Sequence, residues 1–275
     1  METSSQLRLR ILERHLNREE TQSVAHLLEN KTSSQLPFEL LEIHIGDSRD
    51  SWENAGFKVS QDEEGYFVAL SGIKVRLQES SFKKTDLKFV FESNEENTVP
   101  QRTSLGNLEV EVRKRKERRD KEVETAHPNT CFQLAELVLY LKDAELYRKT
   151  LENVGIMYGE KPLKEMGDSM MAKYYFGAGS SKIRLLGISK TVESGTEETP
   201  KESGNWMIGT GSVDVEVTGW MPVAKDLTVL TRQLPTGEIK KAFQTGRSIT
   251  TMKRGVINGL TGTFAFLSHG EGSPV

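Results

Sequence analysis

The sequence predicts an α+β fold made of repeated βαβββ modules, paired into a curled mixed sheet around a cleft and preceded by a short helical arm. Two observations carry that reading. The first is residues 133–155, QLAELVLYLKDAELYRKTLENVG, where strand, turn and helix follow one another. Leu137, Leu139 and Leu141 alternate with Glu136, Val138 and Tyr140, the period of a strand buried on one face. Asp143 caps a helix whose Leu146, Tyr147, Thr150 and Leu151 share a face, and Gly155 stands where a helix end favours positive φ. The second observation is that this unit recurs. Glu-Asn-Ala-Gly at 53–56 matches Glu-Asn-Val-Gly at 152–155, and Lys-Val-Arg-Leu at 74–77 matches Lys-Ile-Arg-Leu at 182–185. The matches fall in the same order after the same β–α opening, which marks an internal repeat.

Taken in order, residues 1–35 read as a helical arm: an amphipathic helix over 7–16, a second capped by Asn17 with Glu20, and a polar linker. Residues 36–125 hold a truncated module, extra strands and a basic linker. In its first strand Leu41, Ile43 and Ile45 form the core face, and Glu42 and His44 the other. A short helix ends at 52–57, and strands at 66–70 and 73–77 meet at Ser71-Gly72. Strands at 87–91 and 108–112 follow, separated by a polar loop over 92–106. Residues 126–275 hold a pair of modules. The first continues beyond Gly155 with a strand at 157–159, a polar loop at 161–168, and strands at 170–176 and 180–186. A Ser/Thr/Glu/Gly-rich surface loop spans 189–205. The second has a strand in which Val213, Val215 and Val217 alternate with Asp214 and Glu216. A helix within 222–234 and strands at 248–252 and 263–268 complete it.

The chain has 275 residues, a formal net charge of −3 and one cysteine, Cys131. That balance gives no general field for nucleic acid or membrane, and one cysteine builds neither an internal disulfide framework nor a multi-cysteine zinc site. The run RKRKERRDK at 113–121 is interleaved with acids and has no aromatic beside it for base stacking, so it reads as a solvated strand end. No apolar run approaches the about 20 residues that span a bilayer. The expectation is a cytoplasmic protein, with a mitochondrial presequence at 1–16 as the alternative reading of the first helix. The expected partner is a small-molecule ligand, with no nucleic acid and no membrane. An odd number of modules favours self-association as a homo-dimer.

Repeated β–α–β–β–β blocks resemble the vicinal oxygen chelate superfamily, which includes glyoxalase I, extradiol dioxygenases and bleomycin-resistance proteins. The segments HPNTCFQLAELVLYLKD (127–143), FGAGSSKIRLLG (176–187), QTGRSITTMKRG (244–255) and FAFLSH (264–269) resemble bacterial glyoxalase-like proteins. The resemblance implies a divalent ion held by a His, Gln or Glu on each first strand and by a Glu on each last strand. Glu136 falls at the first-strand position. Arg184 falls at the last-strand position, and its fixed positive charge cannot ligate a metal. Arg76 repeats that substitution in the first block. No cofactor is therefore predicted; the alternative is a divalent metal held by Glu136 with Asp214, Glu216 or His269.

Glu136 and Arg184 lie on strands expected to be neighbours. They form either an ion pair in place of the metal or a ligand-contacting pair. Tyr140, Glu216 and Arg247 complete that candidate site, and Glu42, His44 and Arg76 form a parallel one in the first block. Cys131 has no basic neighbour in sequence and reads as a small buried apolar residue. The functional expectation is a divergent glyoxalase-like protein without the metal centre, binding a small organic anion or acting as an interaction module. One alternative is an active metal-dependent lyase, isomerase or dioxygenase; another is a structural subunit of an assembly.

Overall fold

The computed structural model describes residues 36–94, 99–115, 126–156, 163–166, 169–178, 181–190, 210–241, 247–252 and 255–270. The arm expected at 1–35, the strand at 157–159, most of the basic linker and the loop from residue 191 to 205 lie outside them. The described residues are mostly β with three short helices, and their strands join one mixed sheet of 15 strands.

Four strand groups build that sheet. The first is β1 (Phe38–Ile45), α1 (Arg49–Asn54), β2 (Ser60–Asp62), β3 (Gly65–Leu70) and β4 (Ile73–Leu77), with β1 and β4 parallel neighbours. The second is β5 (Leu87–Ser93), β6 (Gln101–Leu105) and β7 (Leu108–Lys114). Its β5 and β7 are again parallel neighbours, but among the described residues no helix lies between them. The third is β8 (Cys131–Leu141), α2 (Ala144–Glu152), β9 (Leu163–Met166), β10 (Ser169–Ala178) and β11 (Ser181–Lys190), with β8 parallel to β11. The fourth is β12 (Val215–Ala224), α3 (Leu227–Gln233), β13 (Lys240–Lys241), β14 (Ser248–Met252) and β15 (Thr263–Ser268), with β12 parallel to β15. The opening strands β1 and β5 pair antiparallel, as do β8 and β12. The first module's partner is thus the helix-free group of the same chain. Each pair makes one half of the molecule, and the halves meet where Glu39 of β1 bridges Gly177 of β10.

Several local expectations change for identifiable reasons. β6 occupies part of the expected polar loop; it is an edge strand, so Gln101, Arg102 and Ser104 are exposed and its sequence carries no apolar alternation. β9 is likewise an edge strand inside the expected loop at 161–168. β12 runs on through Pro222 to Ala224, where register shifts against β8 interrupt the ladder and admit a residue with no N–H. The last helix is therefore confined to Leu227–Gln233, with the Asp226 carboxylate accepting from Thr228 and Val229 N–H. A bulge between Leu40 and Glu42 makes Leu40 the core residue and leaves Leu41 half-buried.

The repeat visible in sequence occupies equivalent places. Ser48 and Asp143 cap α1 and α2, and Gly56 and Gly155 follow the two helices at φ +75° and +78°. Packing then crosses the halves. Trp52 of α1 stands edge-on to Trp220 of β12 and Phe264 of β15, at 5.4 and 5.5 Å between ring centroids. Helix α2 packs on β6 as well as on β10 and β11, so the third group's helix covers the group that lacks one. Buried Asp47 ties the seam: it accepts from Trp52 Nε1 (3.0 Å), Thr261 N (2.9 Å) and Thr261 Oγ1 (2.5 Å). His127 and Asn129, ahead of β8, clasp the first half. His127 Nδ1 accepts from Lys58 N–H (2.9 Å) while Nε2–H donates to the Ala69 carbonyl (2.7 Å); Asn129 Nδ2 donates to the Ala55 carbonyl.

Candidate functional site

Alternation sets the concave face of the second half. Leu137, Leu139, Leu141, Ile183 and Leu185 are fully buried in the core cluster. Glu136, Val138 and Tyr140 of β8, with Lys182, Arg184 and Leu186 of β11, therefore point to the other face. Strand register puts Arg184 directly opposite Glu136, and the guanidinium donates from Nε to Glu136 Oε2. The carboxylate side chain is 6% exposed and the guanidinium side chain 25%. Burial pushes the Glu136 carboxyl above its usual range, opposed by the charges of Arg184 and Lys173. Burial works against the Arg184 charge too, but Glu136 and Tyr175 outweigh it and hold the guanidinium protonated.

On the neighbouring strand, Glu216 is the cross-strand partner of Tyr140. Its Oε2 accepts from Thr210 N (2.6 Å) and Oγ1 (3.0 Å), fixing the chain that enters β12. Arg247 precedes β14. Thr250 and Met252 are buried on one side of that strand, which puts residue 247 on the same side as Ile249 and Thr251. Burial lowers its pKa. This face of the sheet thus carries Lys173, Lys182, Arg184 and Arg247 against Glu136 and Glu216, more basic groups than acidic ones.

The residues that could complete a metal set are dispersed. Asp214 lies against Gly106 in the β6–β7 turn, so close that a Cβ there would meet its Oδ2 at 1.8 Å. His269 lies tilted against Phe132, 5.4 Å between ring centroids, and its backbone N–H donates to the Ala224 carbonyl. Among the described residues no three His, Cys, Asp or Glu side chains come together in ion-holding geometry. A carboxylate bound to a guanidinium is not a donor set for the divalent ion that the resemblance implies. Cys131 is buried, and burial alone pushes its thiol well above the usual range.

In the first half Glu42 and Arg76 also meet, in a different setting. Arg76 sits opposite His44 and reaches diagonally, Nε and Nη2 donating to Glu42 Oε1 at 3.0 and 2.9 Å. Its other contacts go to Asp62 (2.8 Å) and Glu64 (2.7 Å), and Lys74 shares Asp62. His44 Nε2–H donates to Glu42 Oε2 at 2.9 Å. Against the burial that raises it, these hydrogen bonds and charges bring Glu42 down to about 2. One group escaped the sequence reading. Glu111 of β7 stands on the last strand of the helix-free group, where the resemblance would put a ligand Glu, and it is held by Lys88 (2.8 Å) and Arg113 (2.6 Å). The alternation of Glu109 and Glu111 with Leu108, Val110 and Val112 was the available signal.

No family model matches the sequence, and no curated protein matches it. Solved structures do. A mutant of 4-hydroxymandelate synthase from Streptomyces coelicolor is similar at 8% identity over 85% of this chain and 93% of that one, with a TM-score of 0.46. The Mn(II)-bound glyoxalase from Novosphingobium aromaticivorans is similar at 9% identity, over 85% and 82%, with a TM-score of 0.41. A xylose isomerase-like TIM barrel/4-hydroxyphenylpyruvate dioxygenase fusion protein is 10% identical with a TM-score of 0.49; the match covers 98% of this chain and 54% of that protein. At those values the likenesses carry no argument about this chain. Two of the chain's own strand groups, each with its first and last strands parallel, pair through their opening strands as the sequence predicts.

Proposed function

We propose that the chain binds a small organic anion in the cleft of its second half, without a metal centre. The observation that carries this reading is Arg184. Its guanidinium occupies the last-strand place that a ligand Glu would take, remains protonated, and reaches solvent on a face whose charged groups are mostly basic. Glu136 orients it, and Tyr175 lies opposite it on β10. A carboxylate arriving in the cleft meets a planar fork suited to two parallel hydrogen bonds.

Isothermal titration with small mono- and dicarboxylates tests the proposal. Arg184→Ala should weaken whichever anion binds by about 10-fold or more; an unchanged affinity refutes the role of Arg184. Metal content of protein purified without chelator tests the other half. Near-stoichiometric metal that disappears in Glu136→Ala would refute the metal-free reading.

A further inference from the structure

We propose that the seam between the two halves holds a second site, for a small zwitterion with an apolar side chain, of the α-amino-acid type. A cavity of about 450 Å³ opens there, within the size range of small-ligand pockets. One wall belongs to the first half: Ile45 at the end of β1 and the stretch Lys84 to Leu87 that leads into β5. The other belongs to the second half: the chain entering β12, with Glu216 and Val217, and the loop 255–261.

The second wall is pinned in place. Gly259 at φ +89° lies so close to α1 that a Cβ would meet Ser51 Oγ at 2.2 Å, and Ser51 Oγ donates to the Asn258 carbonyl (2.9 Å). Thr261, also in the lining, is held at both its N–H and its hydroxyl by Asp47. The cavity is therefore shaped before any ligand arrives, which lowers the ordering cost of binding.

Its chemistry is mixed. Val213, Ile257 and Leu260 supply apolar surface over buried Ile45, Leu87 and Val217, and the charged lining is Lys84, Asp86 and Glu216. Lys84 is exposed and makes no hydrogen bond or ion pair among the described residues. Asp86 Oδ2 is taken by the Lys83 N–H (2.9 Å), which leaves Oδ1 to accept. A ligand with only a carboxylate meets one ammonium and two like charges. A ligand with only an amine leaves Lys84 unanswered. An ammonium and a carboxylate on one apolar body answer both signs and cover the apolar surface.

The test is calorimetric titration of the full chain with L-leucine, compared with 4-methylpentanoate, which lacks the amine, and 3-methylbutylamine, which lacks the carboxylate. Saturable leucine binding is expected, with each analogue about 10-fold weaker or worse. Lys84→Met should bring leucine down to the level of the amine, Glu216→Gln should weaken it in the same sense, and Arg184→Ala should leave it unchanged. No saturable binding of leucine up to about 10 mM overturns the site. So does equal binding of the three compounds, or a folded Lys84→Met variant with undiminished affinity. Loss of leucine binding in Arg184→Ala would assign the ligand to the cleft instead.

Discussion

Two Glu–Arg pairs, built on matching arginines of the two halves, do different work. Arg76 has a side chain only 3% exposed, surrounded by Glu42, Asp62 and Glu64, with Lys74 sharing Asp62 and His44 bound to Glu42. Arg184 has one carboxylate, Glu136, and is 25% exposed. The first pair is enclosed in a network whose charges answer one another; the second leaves a cation partly exposed. Residue identity at a motif position therefore does not decide between a structural and a binding role. The number of counter-charges around it does.

The largest expected effect breaks the enclosed pair. Arg76→Ala strips Glu42, Asp62 and Glu64 of a common partner, and urea denaturation should show a loss of about 3–5 kcal/mol. Arg184→Ala should cost less, about 1–2 kcal/mol, because the arginine is partly exposed and Glu136 can take up a proton. Equal losses at the two sites would remove the distinction drawn between them.

Acid sharpens the contrast because the two carboxyls shift in opposite directions. Glu42 falls from 4.5 to about 2 in the folded state, so the stability it contributes is present above 4.5 and is lost as pH drops through about 2. The Glu136 carboxyl is raised, so its contribution is complete below 4.5 and is lost as pH rises through its folded value. Stability profiles of Glu42→Gln and Glu136→Gln against the parent should bend in opposite senses on acidification. Profiles bending the same way would contradict the burial argument for Glu136.

The smallest effect concerns the clasp between the halves. His127 uses Nδ1 as an acceptor, and burial lowers its pKa, so it folds as the neutral ring. Its contribution is present above the usual histidine value of about 6.5 and is lost as pH falls from there toward the lowered folded value. His127→Gln should flatten the melting-temperature profile across that window, by an amount on the order of 1 kcal/mol. A profile that keeps its slope would place the titration elsewhere.

Much of this was legible in sequence. Strict alternation at Leu137–Leu141 and Ile183–Leu185 placed Glu136 and Arg184 on the same face, and the Glu-Asn-x-Gly repeat marked two helix ends. What was not legible depends on neighbours. The bulge at Leu40 shifts a face by one residue with no local signature. The edge strands β6 and β9 lack the apolar pattern because only one side of each is paired. The helix-free group went unrecognised because the helix that covers β6 comes from another part of the chain. The clasp of His127 carries no sequence signal because both its partners are backbone atoms distant in sequence.

That borrowed helix has a consequence for how the chain comes apart. Neither half closes its own apolar face: β6 relies on α2 from the second half, and β12 and β15 rely on Trp52 from the first. Cutting between residues 115 and 126 would give two fragments with matching wounds, each prone to aggregate alone and suited to re-associate when mixed. Heating the intact chain should accordingly produce one melting transition shared by both halves, with no stable half-molecule along the way.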